Sequence, residues 1–253
     1  MAGKSNDDLS GKVAIVTGGS IGIGASIAFA LAEAGADVAL NYRKHSEEAE
    51  AVVLKINEIG RRGLVVQADV SNFRDAENMV TRVKEELGSV DILVCNAGIT
   101  RDAVIWKMTE EQWDEVININ LKGYFNYIHA VGPIFKSQNS GKIVNVASIN
   151  GLRGKFGQSN YAATKGGIIA LTKTIARELG KFNVNVNAIA PGMVLTNMME
   201  KIPDEFKQRA VDETVLGRLA SPEDIANLVV FLCSDRSRHI TGEVIKIDGG
   251  QYI

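Results

Sequence analysis

Short apolar runs alternate with helical stretches along the entire chain, and this alternation limits the possible folds more than any other feature. Buried strands that alternate with helices form βαβ units, which assemble into a mostly parallel sheet. Seven apolar runs therefore predict an α/β fold in which one doubly wound, seven-stranded parallel sheet carries helices on both faces. The predicted strands are Val13–Thr17, Val38–Tyr42, Leu64–Asp69, Val90–Cys95, Lys142–Ala147, Val184–Ile189 and Glu243–Ile247.

The segments between these strands have helical patterns, and a Thr-Glu-Glu-Gln capping box at Thr109 marks the start of one helix. No linker-like tract or internal repeat interrupts the chain, so residues 11–253 are predicted to form a single domain after a flexible lead-in at residues 1–10. The least regular stretch, residues 191–219, follows a strand end where ligands bind in such sheets, and it is predicted to be a lid. Further helices are predicted over Ile21–Gly35, Ser46–Gly60, Phe73–Leu87, Tyr161–Leu179 and Pro222–Cys233.

The composition excludes several classes of protein. The 28 Lys and Arg residues nearly balance the 30 Asp and Glu residues, which argues against a dedicated nucleic-acid-binding protein. Two cysteines are too few for a disulfide framework, so a cytoplasmic protein is expected. The histidines are scattered singly without zinc-type spacing, so no metal site is predicted. The start lacks the apolar core of a signal peptide, and no run of about 20 apolar residues predicts a membrane span.

A glycine-rich loop, Thr-Gly-Gly-Ser-Ile-Gly-Ile-Gly over residues 17–24, joins the first predicted strand to the first predicted helix. Glycines allow a tight turn there and let a pyrophosphate approach the backbone and the helix N-terminus. An ordinary tight turn is the alternative interpretation of the loop taken alone. Its position at the first βα junction favours a Rossmann-type dinucleotide site. The candidate cofactor-binding residues of the loop are Gly18, Ser20, Ile21, Gly22, Ile23 and Gly24.

A second group of residues could carry acid–base chemistry. Tyr161 and Lys165 are four residues apart, so on a helix they share one face. A nearby ammonium would favour the phenolate and bring the tyrosine pKa, ordinarily about 10, toward neutrality. A surface pair on a helix is the alternative interpretation. Ser148 lies thirteen residues before Tyr161 at a predicted strand end, which favours a catalytic group.

These motifs resemble those of the short-chain dehydrogenase/reductase family, and they occur in the family's order over residues 11–250. The matching segments are the glycine loop, Asp69-Val70, Asn96-Ala97-Gly98, Asn120, Ser148, Tyr161-x-x-x-Lys165 and Pro191-Gly192. The resemblance implies an oxidoreductase that transfers a hydride between a nicotinamide cofactor and a carbonyl carbon. It supports the Rossmann fold predicted from the alternating pattern.

The resemblance also implies a role for each matching residue. Tyr161 would protonate the substrate oxygen, and Ser148 would polarise the carbonyl group. Lys165 would hold the nicotinamide ribose and lower the pKa of Tyr161. Asn120 would disrupt its helix and hold a water molecule in a proton relay. The expected cofactor contacts are Asn96, Ala97 and Gly98 along the cofactor, Asp69 and Val70 at the adenine, and Pro191, Gly192, Val194 and Thr196 at the carboxamide.

Within the family, the chain is similar to bacterial 3-oxoacyl-[acyl-carrier-protein] reductases and to acetoacetyl-CoA reductases. The similar segments are residues 97–102, 120–123, 157–161 and 248–250. This implies reduction of a 3-oxoacyl thioester, as in fatty acid biosynthesis, with acyl carrier protein as a partner and a homotetrameric assembly. A dehydrogenase for a small alcohol, sugar or cyclic ketone is an alternative, as is a non-catalytic Rossmann protein that senses a cofactor.

The end of the second predicted strand indicates the coenzyme. NAD-dependent enzymes usually place an acidic residue there to accept hydrogen bonds from the ribose 2′-hydroxyl. This chain has Tyr42 at that position, followed by Arg43, whose guanidinium can bind a 2′-phosphate. The similar acyl-carrier-protein reductases usually carry arginine where this chain has Ile21, so the phosphate contact shifts toward Arg43. The sequence therefore predicts NADPH as the coenzyme.

Overall fold

The computed structural model describes residues 7–44, 46–196 and 204–253. Its seven strands form one sheet in the order β3-β2-β1-β4-β5-β6-β7, and every neighbouring pair is parallel. The predicted fold class is therefore confirmed. The strands are β1 Val13–Val16, β2 Asp37–Tyr42, β3 Gly63–Gln67, β4 Ile92–Cys95, β5 Gly141–Val146, β6 Val184–Pro191 and β7 Val244–Ile247.

Helices cover both faces of this sheet. The α-helices are α1 Gly22–Glu33, α2 Ser46–Glu58, α3 Phe73–Leu87, α4 Glu110–Ile117, α5 Gly123–Gln138, α6 Asn150–Arg153, α7 Ser159–Leu179, α8 Asp204–Asp212 and α9 Pro222–Cys233. A π-helical turn, Asn118–Lys122, joins α4 to α5, and 3₁₀ turns lie at Gly180–Phe182 and Asp235–Ser237. In the described residues, no helix is both long and apolar enough to cross a membrane.

The apolar core has two layers because successive side chains of a strand point to opposite faces of the sheet. Val13 and Ile15 of β1 pack with buried residues of α3, α5 and α7. Ala14 and Val16 of the same strand pack with α1, α2 and α9 on the other face. Both faces of the strand are buried, which explains why the sequence of β1 is continuously apolar.

Side-chain caps fix where several helices begin. Thr109 accepts a hydrogen bond from the Gln112 amide, and the Gln112 side chain accepts one from the Thr109 amide, which confirms the predicted capping box. Ser221 forms the same arrangement with Asp224 at the start of α9. Both boxes satisfy amide groups that have no partner within the helix.

The order of the strands creates a crevice between β1 and β4. The chain proceeds from β1 to β2 and β3 on one side, and then returns to β4 on the other side of β1. Loops that follow β1 and β4 therefore separate at the carboxyl edge of the sheet, where ligands bind in folds of this type.

The two predicted flexible segments are only partly described. Residues 1–6 of the lead-in lie outside the described residues, while Leu9 is buried and donates its amide to the Ala34 carbonyl at 2.7 Å. Within the predicted lid, residues 197–203 lie outside the described residues, and α8 follows them. The domain boundaries and the lid stay predictions.

Candidate active site

A cleft of about 570 Å³ opens at the carboxyl edge of the sheet. All the predicted site residues line it except Asn120 and Val194, which are buried beside it. The structure therefore brings together the glycine loop, the end of β2, the segments after β3, β4 and β6, and the residues proposed for catalysis. Residues that also line the cleft, but were not predicted, are Asn41, Ala68, Ile99, Thr100, Ile119, Val146 and Ala147. Lys44, which directly follows Arg43, lines it too.

The glycine loop forms a cradle at the N-terminus of α1. Gly18 and Gly22 have positive φ angles of 63° and 56°, which side chains rarely adopt. A Cβ atom at Gly24 would overlap the carbonyl oxygen of Gly18. No described side chain caps α1, and its first turn carries no acidic residue. Free amide groups, the helix dipole and open backbone are suited to an anion, so these residues fit the pyrophosphate of a dinucleotide.

Asparagine side chains fix the glycine loop to the neighbouring strands. Asn41 Oδ1 accepts the Gly18 amide at 2.8 Å, while its Nδ2 donates to the Ala68 carbonyl at 2.8 Å. On the other side, Asn96 Nδ2 donates to the carbonyls of Thr17 and Gly18 at 3.0 and 3.1 Å. Asn41 is not among the residues predicted from the sequence. An amide side chain in the apolar run of β2 was the available signal.

Asn120 lies in the π-helical turn between α4 and α5 and is fully buried. Its Oδ1 accepts the Ile99 amide at 2.8 Å, and its Nδ2 donates to the Ile99 carbonyl at 2.9 Å. The expected disruption of the helix at this residue is therefore present. The side chain also fixes the loop that follows Asn96, Ala97 and Gly98 against the helix. Its proposed water molecule and proton relay stay predictions.

Ser148 and Tyr161 face each other in the cleft. Ser148 follows β5, and Tyr161 lies in the first turn of α7. Both line the cleft, and the Ser148 side chain is near enough to influence the pKa of Tyr161. Burial raises the pKa of Tyr161, the Ser148 side chain opposes this, and the negative charge of Asp102 raises the pKa further. The Tyr161 phenol is therefore held in its protonated form, as a proton donor requires.

Lys165 lies one helical turn behind Tyr161 and is almost completely buried. Its Nζ donates to the Val146 carbonyl at 2.7 Å and lies 3.4 Å from the Tyr124 hydroxyl. Burial lowers the pKa of Lys165 to about 7. Burial disfavours the charged forms of both groups and raises the pKa of Tyr161 overall, so a lowering effect of Lys165 on that pKa stays a prediction.

Arg43 lines the cleft directly after β2. Its guanidinium is 3.6 Å from the Asp69 carboxylate, and both side chains are partly exposed. Burial alone would raise the pKa of Asp69, but hydrogen bonds from Ser71 and the charge of Arg43 lower it. A cation therefore borders the cleft at the end of β2, and its contact with a 2′-phosphate stays a prediction. Ile21 also lines the cleft and is 47% exposed.

A dinucleotide cradle that opens toward a serine–tyrosine pair with a lysine behind it defines the site of a nicotinamide-dependent oxidoreductase. A family model described as enoyl-(acyl carrier protein) reductase matches residues 18–251. The chain belongs to the short-chain dehydrogenase/reductase family, and it is an oxidoreductase of that family.

Curated relatives extend over nearly the whole chain. The 3-oxoacyl-[acyl-carrier-protein] reductase FabG of Staphylococcus epidermidis is 46% identical over 242 residues, which are 96% of this chain and 99% of the relative. The acetoacetyl-CoA reductase of Rhizobium meliloti is 46% identical over 95% of this chain and 98% of the relative. A crystal structure from Sinorhizobium meliloti, provisionally described as a short-chain alcohol dehydrogenase, is 38% identical with a TM-score of 0.94 over 98% of both chains.

Proposed function

We propose that the protein reduces a 3-oxoacyl thioester to the 3-hydroxyacyl thioester with NADPH, as in fatty acid biosynthesis. The observation that carries this proposal is that Ser148 and Tyr161 line the same cleft as the dinucleotide cradle. Two hydroxyl groups on one side of a cleft can both point to a single carbonyl oxygen. The relatives named for 3-oxoacyl and acetoacetyl thioesters support the choice of substrate.

The proposed reaction follows from the protonation states of these side chains. The bound nicotinamide coenzyme supplies the hydride that reaches the carbonyl carbon. Ser148 donates a hydrogen bond to the carbonyl oxygen, where negative charge develops. Tyr161 transfers its phenolic proton to this oxygen, which completes the hydroxyl group of the product. Lys165 holds the ribose of the coenzyme and stabilises the phenolate that remains on Tyr161.

The coenzyme in this proposal is NADPH rather than NADH. Arg43 borders the cleft beside Tyr42, so a cation is available where the 2′-phosphate would lie. The ion pair of Arg43 with Asp69 is long and partly exposed, so its competition with a phosphate is weak. Ile21 contributes no charge at this end of the cleft.

The acyl group in this proposal is carried by acyl carrier protein or by coenzyme A. Two cations near the catalytic segments already have partners within the chain. Arg101 pairs with Glu115, and Arg153 pairs with Glu213.

Both cysteines are free and buried, which supports a reducing, cytoplasmic setting. The same proposal includes a homotetramer. The long helix α5 and the tail after the edge strand β7 both leave apolar side chains exposed.

The test measures coenzyme oxidation with a panel of substrates and both NADPH and NADH. The panel contains acetoacetyl-CoA, a 3-oxoacyl carrier protein, crotonyl-CoA and cyclohexanone. The proposal expects turnover of the 3-oxo thioesters with NADPH, and a Tyr161→Phe variant that retains coenzyme binding while losing about 10²–10⁴-fold in turnover. The ring and the helix remain in this variant, and only the proton donor is lost.

Three outcomes would contradict the proposal. Faster reduction of crotonyl-CoA would favour enoyl thioesters, the substrate class in the description of the matching family model. A preference for cyclohexanone would favour a small-ketone reductase. Near-wild-type turnover by Tyr161→Phe would remove Tyr161 from the mechanism.

A further inference from the structure

Tyr124, at the start of α5, contacts Lys165 but does not line the cleft. It is 2% exposed, and its hydroxyl donates to the Val146 carbonyl at 2.9 Å. The same carbonyl accepts a hydrogen bond from Lys165 Nζ at 2.7 Å. Tyr124 and Lys165 therefore meet at the carboxyl end of β5, where Nζ lies 3.4 Å from the tyrosine hydroxyl.

The geometry gives this hydroxyl a defined orientation. Its proton is directed to Val146, so its lone pairs are available to accept a hydrogen bond from Lys165. The ring of Tyr124 also lies 5.3 Å from Nζ, which is within the range for a cation–π contact. An ammonium group benefits from both contacts more than a neutral amine does, so both favour the charged form of Lys165.

Few other groups can determine the charge of Lys165. The titratable groups that face it are Tyr124 on α5, Cys95 at the end of β4, and Tyr161, whose ring lies 5.5 Å from Nζ. Burial raises the pKa values of Cys95, Tyr124 and Tyr161, so these groups carry no negative charge near neutral pH. Among the described residues, no carboxylate lies within ion-pair distance of Lys165.

We propose that Tyr124 is a positioning residue, which holds the ammonium group of Lys165 at the end of β5 and keeps it charged during the reaction. This inference rests on the proposed function, in which Lys165 holds the coenzyme ribose and stabilises the Tyr161 phenolate. Burial brings the pKa of Lys165 to about 7, so modest contacts decide how much of it is charged near neutral pH. Tyr124 itself does not touch substrate or coenzyme.

The test titrates Lys165 directly in the protein without coenzyme, by ¹³C NMR of chain labelled at the lysine ε-carbons. Lys165→Met assigns the resonance. Tyr124→Phe removes the hydroxyl and keeps the ring, so it should lower the pKa of Lys165 by about 0.5–1 unit, as expected for one long hydrogen bond to a charged group. Tyr124→Leu also removes the ring and should lower the pKa further.

Tyr127→Phe is the matched control. Tyr127 is buried on the same helix, but its hydroxyl contacts the Met79 sulfur at 3.1 Å rather than Lys165. Loss of this hydroxyl imposes a similar structural cost, so it should affect stability without moving the Lys165 titration. An equal shift in Tyr127→Phe and Tyr124→Phe would overturn the inference, because the effect would then come from loosening of the helix.

The kinetic arm measures the pH profile of kcat/KM for acetoacetyl-CoA reduction. In Tyr124→Phe, the alkaline limb of this profile should move to lower pH by the same interval as the Lys165 titration. At a fixed pH on that limb, kcat/KM should therefore fall by about 3–10-fold. An active wild-type enzyme with no titration shift in Tyr124→Phe would overturn the inference. A wild-type enzyme that reduces no 3-oxo thioester, but still shows the shift, would instead overturn the proposed function.

Discussion

Burial acts in opposite directions on the pKa values of Tyr161 and Lys165. It raises the pKa of the phenol and lowers that of the amine to about 7, so burial favours the neutral form of each group. A tyrosine that keeps its proton is ready to act as an acid. The lysine becomes fully charged only when hydrogen bonds or bound groups stabilise its ammonium form, which couples the charge in the site to occupation of the site.

Lys165→Met should abolish reduction and yet stabilise the folded protein. Between about pH 7 and 10.5, the unfolded chain binds a proton at Lys165 that the folded chain does not, so wild-type stability rises with pH through this range. A methionine at this position carries no charge, so it removes the free-energy cost of burying the ammonium group. The gain in the free energy of unfolding should be about 1–3 kcal/mol at and below pH 7, and it should vanish toward pH 10.5.

Chemical denaturation across this pH range measures the effect. The Val146 carbonyl keeps the hydroxyl of Tyr124 as a donor, so the methionine variant leaves it paired. Lys55→Met serves as the control because Lys55 is exposed on α2. A Lys165→Met variant that is destabilised at every pH, or a gain that does not depend on pH, would contradict the prediction.

Arg43→Ala should weaken NADPH binding by roughly 1.5–3 kcal/mol, the range for hydrogen bonds to charged groups. NADH binding should barely change, since NADH has no 2′-phosphate for the guanidinium to contact. Calorimetric titration of both coenzymes measures the difference, and Lys44→Ala should have a smaller effect because an ammonium group forms a single point contact. Equal catalytic efficiency of the wild-type enzyme with both coenzymes would overturn this assignment.

At the scale of elements, the glycine loop and α1 form one unit with the neighbouring strands. Gly24→Ala would place a Cβ against the Gly18 carbonyl and 2.5 Å from the Asn96 amide nitrogen, so the loop must shift. We expect a loss of about 1–3 kcal/mol in stability, as for overpacking in a core. NADPH and NADH should weaken equally, because both contain the pyrophosphate.

A second glycine-to-alanine change provides the control for this loop. Gly132 lies within α5, and a Cβ there would meet nothing within 4 Å. Gly132→Ala should leave coenzyme affinity unchanged. Its effect on stability should be small, because Pro133 follows it and a Cβ before proline offsets the gain from helix propensity. Thermal unfolding and coenzyme titration measure both variants. Coenzyme affinities that fall for only one coenzyme in Gly24→Ala would contradict a shared pyrophosphate cradle.

Regular elements could be predicted because their signals are local. Alternating apolar runs indicated all seven strands, and the Thr109 capping box marked the start of α4. The hydrogen bond of Asn41 to Gly18 joins residues 23 apart, and the contact of Lys165 with Tyr124 joins residues 41 apart. Such pairs depend on how strands and helices meet in three dimensions. No spacing within the sequence predicts them, and only family resemblance indicated the disrupted helix at Asn120.

At the scale of the whole molecule, exposed apolar side chains of the described residues include those on α5 and in the tail after β7. On α5, Phe125 is 47% exposed and packs beside the rings of Phe73 and His129. At the other side, β7 is an edge strand, and the tail after it ends in Ile253, which is 91% exposed. Exposed edges and apolar patches favour association with other chains, so both surfaces are candidates for contacts between copies.

We therefore predict a homotetramer in which one two-fold axis pairs the α5 surfaces and another pairs the β7 edges, since closed assemblies of identical chains are usually symmetric. Light scattering at micromolar concentration should give four times the mass of one chain. Phe125→Glu buries a charge at one surface only and should reduce the mass by half. Leu54→Glu is the control, because Leu54 is 62% exposed on α2, away from both surfaces, and its variant should remain tetrameric. A monomeric wild-type protein, or a Phe125→Glu variant that stays tetrameric, would contradict the arrangement.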